Sequence, residues 1–156
     1  MYDKTITVFN YYESNTFGEA YWYPHILPRV DLNTDHGAIL KKYGQDSTDN
    51  AQLHVKCYNA TEPSNDIWVI DSNGKSVLWL PPKEWAAQTN DKLADTITFS
   101  EDCIFWQGEW ANGRVIDDDY RGGFYQWLNS HKDNVFKVTS VGGPYALIPH
   151  FEILGR

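Results

Sequence analysis

The chain has 156 residues, 42% of them hydrophobic and 15% aromatic, with seven Trp and ten Tyr. One domain with a real core is the default at this length, and the apolar fraction excludes a disordered segment. The net charge of −8, without any Lys/Arg cluster, excludes a general nucleic-acid binder, which needs cations to displace counterions.

In chain order, Thr5 to Tyr12 alternates as a strand, with Ile6 and Val8 opposite Thr5, Thr7 and Phe9. Glu13 to Gly18 reads as a turn. Glu19 to Asp31 is a second extended run, and the pair predicts a hairpin. Pro24 and Pro28 imply bulges or an edge position, because proline cannot donate to a ladder. Thr34 to Gly44 is either a short helix capped by Thr34 or Asp35, carrying Ile39, Leu40 and Tyr43, or an ordered loop.

Ala51 to Tyr58 is a strand with Leu53, Val55 and Cys57 on one face, and Asn59 to Asn65 is a loop. The sequon Asn59-Ala60-Thr61 has no consequence in a cytosolic chain. Ile67 to Ile70 and Val77 to Leu80 flank Asp71-Ser72-Asn73-Gly74-Lys75, and Asn-Gly is a strong hairpin signal. Pro81-Pro82 ends that strand, and Lys83 to Ala87 is at most one helical turn. Thr96 to Phe99 and Cys103 to Trp106 are short extended runs.

Asp117 to His131 reads as a helix. Its three aspartates supply an N-cap and favourable charge, and Tyr120, Phe124, Trp127 and Leu128 form one stripe. Gly122 and Gly123 each weaken it by about 1 kcal/mol, so the stripe must pack on a sheet.

Val135 to Arg156 reads as a β-hairpin. Its first strand alternates Val135, Lys137, Thr139 and Val141 against Phe136, Val138 and Ser140. Gly142-Gly143-Pro144 breaks it, and Leu147 to Leu154 returns with Leu147, Phe151 and Ile153 on one face. Pro149 places that return strand at an edge or gives it a bulge. The expected whole is a single mainly β domain spanning 1–156. It is a barrel or sandwich of roughly eight strands with one packed helix near the C-terminal third.

No catalytic signature, zinc spacing or phosphate loop is present, so no catalytic residue, metal or cofactor is expected. Asp117-Asp118-Asp119 lacks the alternate ligands of a Ca²⁺ loop, and helix capping is favoured. His150 reads as a half-buried strand histidine bonded to a backbone group or carboxylate. Cys57 and Cys103 read as buried thiols rather than a disulfide. Met1-Tyr2-Asp3-Lys4 lacks the apolar stretch of a signal peptide, and no run reaches transmembrane length.

Glu84-Trp85 and Glu109-Trp110 invite a sugar-binding reading, since stacked aromatics beside carboxylates occur in sugar sites. Most aromatics belong in the core. The alternative for Trp79, Trp85, Trp106 and Trp110 is a subunit or partner interface, where Trp and Tyr dominate. Trp110-Ala111-Asn112-Gly113-Arg114 reads as an exposed loop. The interface candidates are therefore Trp85, Trp106, Trp110, Arg114, Pro149 and His150.

Val138-Thr139-Ser140-Val141, followed by Pro149-His150-Phe151-Glu152-Ile153-Leu154-Gly155-Arg156, resembles the end of small phage minor capsid proteins of the head–tail connector. Those end in a hairpin reading I-T-S-V, a glycine-containing turn, then P-H-W-x-V-x-G-K. Asp3 to Tyr11 is similar to their opening strand, and Val77 to Trp85 to a middle P-x-E-W-like segment. The whole chain resembles an uncharacterised family from phages and prophages of gut Firmicutes.

The resemblance implies a β-barrel subunit of a homo-oligomeric head-closure ring. It would contact portal or adaptor and tail-completion proteins in the virion, after assembly in the host cytoplasm. Packaged DNA would pass its channel without sequence-specific binding. The resemblance also implies extra residues over 91–131. Two other classes fit the composition: a small phage-encoded protein that inhibits or triggers a host defence protein, and a carbohydrate-binding β-domain.

Overall fold

The structure is a computed structural model that describes residues 1–14, 18–59 and 65–156. The expected turn at 13–18 and loop at 59–65 therefore lie largely outside the described residues, as does the end of the sequon. The chain is mainly β. β1 (Lys4–Glu13) and β2 (Ala20–Asn33) form a long antiparallel hairpin, as their alternation predicts.

α1 (His36–Tyr43) follows, its N-cap Asp35 accepting from Ala38 N and Gly44 ending it at φ 98°. Next come β3 (Ala51–Lys56), β4 (Tyr58–Asn59), β5 (Ile67–Ile70) and β6 (Ser76–Trp79). In the β5–β6 turn, Asp71 Oδ1 accepts from the amides of Asn73 and Lys75, and Gly74 takes φ 77°. α2 (Pro82–Ala86), α3 (Asn90–Leu93), β7 (Thr96–Ile97), β8 (Ile104–Trp106) and β9 (Val115–Ile116) come next. α4 (Phe124–His131), β10 (Val135–Tyr145) and β11 (His150–Gly155) complete the chain.

Strand pairing closes on itself. β1 pairs with β8, β8 with β10, β10 with β11, β11 with β3, β3 with β2, and β2 again with β1, all antiparallel. This circuit is a six-stranded barrel, with β9 added outside on β2. Closure leaves no free edge along these pairings. A second sheet, β4-β5-β6-β7, packs against the barrel, and Val69, Val77 and Ile97 share its main cluster with Ile6, Val8, Leu27, Phe105 and Phe151.

Two bulges keep the inward face apolar. Between Leu27 and Val30, β2 carries an extra residue against β1, with Arg29 at φ 52°, and the inward parity passes from Leu27 to Val30 and Leu32. The bulge expected at a proline thus sits at Pro28, whereas Pro24 pairs in register with Phe9. In β10 the register shifts between Val138 and Ser140, so Phe136 and Val138 point inward before it and Val141 after it. A one-residue slip without a bulge would send those side chains to solvent.

The outer face of the β1–β8–β10 wall carries a second cluster. Phe9, Ile104 and Val135 pack under Phe124 and Leu128 of α4, with Trp22, Trp110 and Val115. A third, smaller one joins Tyr23 of β2 to Trp85 and Leu93 of the α2–α3 segment.

The helix and the terminal hairpin differ from expectation. The helix expected over 117–131 is two pieces: a 3-10 turn at Asp117–Asp119 and α4 from Phe124. Gly122 and Gly123 adopt φ 79° and 95° and form the loop that leads into α4, with Gly123 as its N-cap, rather than lying inside a helix. Tyr120 still joins the stripe from the preceding turn, its ring 4.9 Å from Trp127 and 5.1 Å from Phe124.

Gly142-Gly143-Pro144 does not end β10, which runs on to Tyr145. Leu147 lies in the turn rather than in a strand. Pro149 lies in that same turn, and β11 is an interior strand between β10 and β3, so no edge exists there. The segment 91–131 supplies β8, bonded on both sides within the barrel.

Candidate functional site

Of the residues expected at an interface, two are core. Trp85 is 2% exposed, packed on Tyr23 and Leu93, and its indole N–H donates to Thr96 O at 3.3 Å. Trp110 is buried edge-on against Phe9 and Phe124, its N–H donating to Gly113 O at 3.0 Å. Both rings pack into the outer clusters of this chain.

Trp106 is half-buried and lies over Gly108, where a Cβ would collide with the indole; Lys132 Nζ stands 5.7 Å from its ring. Arg114 is exposed, its guanidinium 4.4 Å above Tyr21. Pro149 and His150 are half-buried at the turn between β10 and β11.

His150 leads to a constellation that spacing along the chain does not reveal. Antiparallel register puts Asp31 opposite His54, and His54 opposite Glu152, in one row across β2, β3 and β11. Leu53, Val55, Phe151 and Ile153 alternate inward, so the row lies on the outer wall. His54 Nδ1 is 3.4 Å from Asp31 Oδ2, and its Nε2 is 3.5 Å from Glu152 Oε1. His150 Nε2 approaches the same Glu152 oxygen at 3.5 Å, and its Nδ1 donates to Ile148 O at 2.7 Å. Gln52 Nε2 lies 3.2 Å from His54 Nε2 and donates to Tyr43 Oη at 2.9 Å.

Rings complete the wall. His54 and His150 meet edge-on at 5.6 Å, and Tyr145 lies 5.2 Å from His150. Tyr2 covers the opposite side, its hydroxyl pKa pushed up by burial and then by Asp31 and Glu152. Lys56 Nζ sits 4.4 Å from the Tyr2 ring. Among the described residues no group of three His, Cys, Asp or Glu side chains stands where it could hold a metal ion.

The hairpin turn beside this row is apolar and open. Leu147 is 86% exposed and Ile148 75%, and the backbone of Ile148 is at φ 48°. The Pro149 carbonyl accepts from Cys57 N at 3.1 Å, tying the turn to the strand beside it.

The turn, the row and the strands that carry them all fall within residues 1–156, the stretch over which the chain matches one protein family. The chain belongs to DUF6751, a family of unknown function. No curated protein and no solved structure matches it. For a DUF6751 chain the site rests on its own geometry, and that geometry differs from what the sequence suggested. His150 stands where expected, bonded to a backbone carbonyl and a carboxylate. Asp31, His54 and Glu152 were missed, although the parity of β3 and β11 puts them on the outward face once register is known. Both thiols are free and buried: burial pushes Cys57 up to about 11 and raises Cys103 as well. No described helix is long and apolar enough to cross a membrane.

Proposed function

We propose that this chain is a non-enzymatic structural protein of a phage head–tail connector, acting through assembly into a homo-oligomeric ring and contacts with neighbouring neck proteins. The observation that carries the reading is the hairpin tip. Leu147 and Ile148 stand exposed within a stretch, Val138 to Pro149, that has no charged side chain, on a chain of net charge −8. Large aliphatic side chains held out together on a barrel-anchored turn form a contact element. Like-charged subunits repel elsewhere on their surfaces, so an uncharged tip is where copies approach at least cost.

The closed barrel and the resemblance of the terminal hairpin to connector proteins support the same reading. A ring needs two different patches that meet. The tip is one, and the second is assigned to the end of β8 and the loop after it, where Trp106 is half-buried and Arg114 exposed. Portal or adaptor and tail-completion proteins are the neighbours in this reading. Packaged DNA passes without sequence-specific contact, and the mature location is the virion.

The test is the solution mass of the purified chain by light scattering, across concentration and with its portal-proximal neighbour. The expected result is a closed ring, alone or with that neighbour, which Leu147→Asp with Ile148→Asp reduces to monomer while the far-ultraviolet spectrum stays the same. A monomer under every condition would replace this reading with that of a small binding protein directed at a host defence protein.

A further inference from the structure

Carbonyl and carboxylate oxygens only accept hydrogen bonds, and an imidazole nitrogen donates only when it carries a proton. His150 stands between two such acceptors, Ile148 O at 2.7 Å from Nδ1 and Glu152 Oε1 at 3.5 Å from Nε2. A neutral ring has one N–H and serves one of them. Nδ1 takes it, being the closer, and leaves a lone pair on Nε2 facing a carboxylate. Only the doubly protonated ring serves both. His54 also lies between Asp31 and Glu152, but its Nε2 faces the donating amide of Gln52 as well, so a neutral ring is satisfied there and the two-acceptor arrangement belongs to His150.

We propose that the Asp31–His54–Glu152–His150 row is a proton-operated latch on the turn between β10 and β11. With His150 doubly protonated, one ring ties the Ile148 carbonyl of the turn to Glu152 of β11. With the ring neutral, the tie to Glu152 is lost and the ring holds only the Ile148 carbonyl. This device does not depend on the connector reading, since it concerns how the turn is held and not what it touches.

The groups facing the two rings come from every neighbouring element. Asp31 lies on β2, Gln52 and Lys56 on β3, Tyr145 on β10 and Glu152 on β11. Tyr2 and the Met1 amino group, 2.9 Å from Asp31 Oδ1, come from the start of the chain, and Tyr43 from α1. Of the group types gathered here, only imidazoles and the α-amino group change charge between about pH 5 and 8. Two carboxylates converge on the two rings, so added protons are met by negative charge already in place.

The experiment is ¹⁵N NMR of the histidine side chains in the full chain, with amide exchange read at Ala146, Leu147 and Ile148. Spectra at about pH 5 and about pH 8 span the range over which histidine changes charge. The expected result is a His150 ring with both nitrogens protonated at the lower pH and only Nδ1 at the higher. Exchange at the turn, corrected for its intrinsic pH dependence, should rise roughly fivefold at the higher pH, the effect of losing one hydrogen bond. The β5–β6 turn at 71–75 serves as the internal control.

Glu152→Gln should abolish the difference with the β3 and β11 amide shifts intact, and His150→Gln should give one exchange rate at both values. Turn protection that ignores pH, or a pH effect that survives both substitutions, would overturn the latch. Zn²⁺ at micromolar concentration shifting both Nε2 resonances and fixing the turn at either pH would also overturn it, because a metal would then occupy the proton's place.

Discussion

The side-chain amide of Asn10 is hydrogen-bonded to both ends of Thr98: its Nδ2 donates to Thr98 O at 2.7 Å, and its Oδ1 accepts from Thr98 N at 3.1 Å. Asn10 is fully buried. It replaces a strand partner for a segment that follows β7 and pairs with no strand among the described residues, while Nδ2 also reaches Cys103 Sγ at 3.3 Å. An amide is the only side chain with one donor and one acceptor fixed at this spacing.

Asn10→Ala should therefore cost about 3 kcal/mol, since it strands a buried N–H and a buried C=O together. Asn10→Asp should cost at least as much near neutral pH, because a carboxylate then faces Thr98 O and the Cys103 sulfur without a cation. Urea unfolding followed by tryptophan fluorescence measures both. A loss under about 1 kcal/mol for Asn10→Ala would mean that water replaces the amide and that the segment is not held by it.

Asp117 holds two elements at once, its Oδ1 accepting from Trp22 Nε1 and from Phe124 N, both at 2.9 Å. It caps α4 from seven residues upstream, across the loop that Gly122 and Gly123 make possible. Asp117→Ala should destabilise by about 2 kcal/mol, combining a lost cap with an unpaired indole N–H. Asp118→Ala should stay within about 0.5 kcal/mol, as expected of a surface position. Equal costs for the two would show that charge near the helix start, rather than this one carboxylate, is what matters.

These two residues also mark where the sequence was legible and where it was not. Alternation in Thr5 to Tyr12 and in Val135 to Val141, and the Asn-Gly turn, each specify their strands locally, so the β class and the β1–β2 and β5–β6 hairpins follow from the chain itself. Barrel closure does not follow, because the pairing of β8 with both β1 and β10 joins segments far apart in sequence. The Asp31–His54–Glu152 row was hidden for the same reason: cross-strand neighbours depend on register, and register depends here on bulges at 28–29 and 139. The glycines misled twice. At 122–123 they form the loop that starts α4, and at 142–143 they continue a strand, and residue type alone does not distinguish the two.

His25 is buried beside β7 with Nε2 2.8 Å from Thr96 O, the same carbonyl that receives the Trp85 indole. Burial lowers its pKa to about 4, outweighing the hydrogen bond to Thr96, which raises it. The unfolded chain takes up this proton first, near the ordinary histidine value of about 6.5. The contribution is thus complete above about 6.5, falls as the pH drops toward 4 and is constant below, amounting to about 3 kcal/mol. The difference in unfolding free energy between wild type and His25→Leu, measured from about pH 7.5 to about 4.5, should shrink steadily as the pH falls. A difference that does not change with pH would show that His25 takes up its proton equally in both states.

Gly142 and Gly143 are required for different reasons. A Cβ at Gly142 meets the hydroxyl end of Tyr145, a half-exposed side chain that can swing away. A Cβ at Gly143 meets the backbone carbonyl of His150 at 2.9 Å, on a residue at φ 104°. Nothing there can yield except the hairpin itself. Gly143→Ala should therefore cost about 2 kcal/mol, while Gly142→Ala should cost under about 1 kcal/mol. Combining Gly142→Ala with Tyr145→Ala should remove most of that smaller penalty, a coupling visible in a double-mutant cycle. The Gly143→Ala cost should persist in the Tyr145→Ala background, because it arises from backbone against backbone. Thermal unfolding of the five variants and wild type decides it, and rescue of Gly143→Ala by Tyr145→Ala would place the strain in the side chain instead.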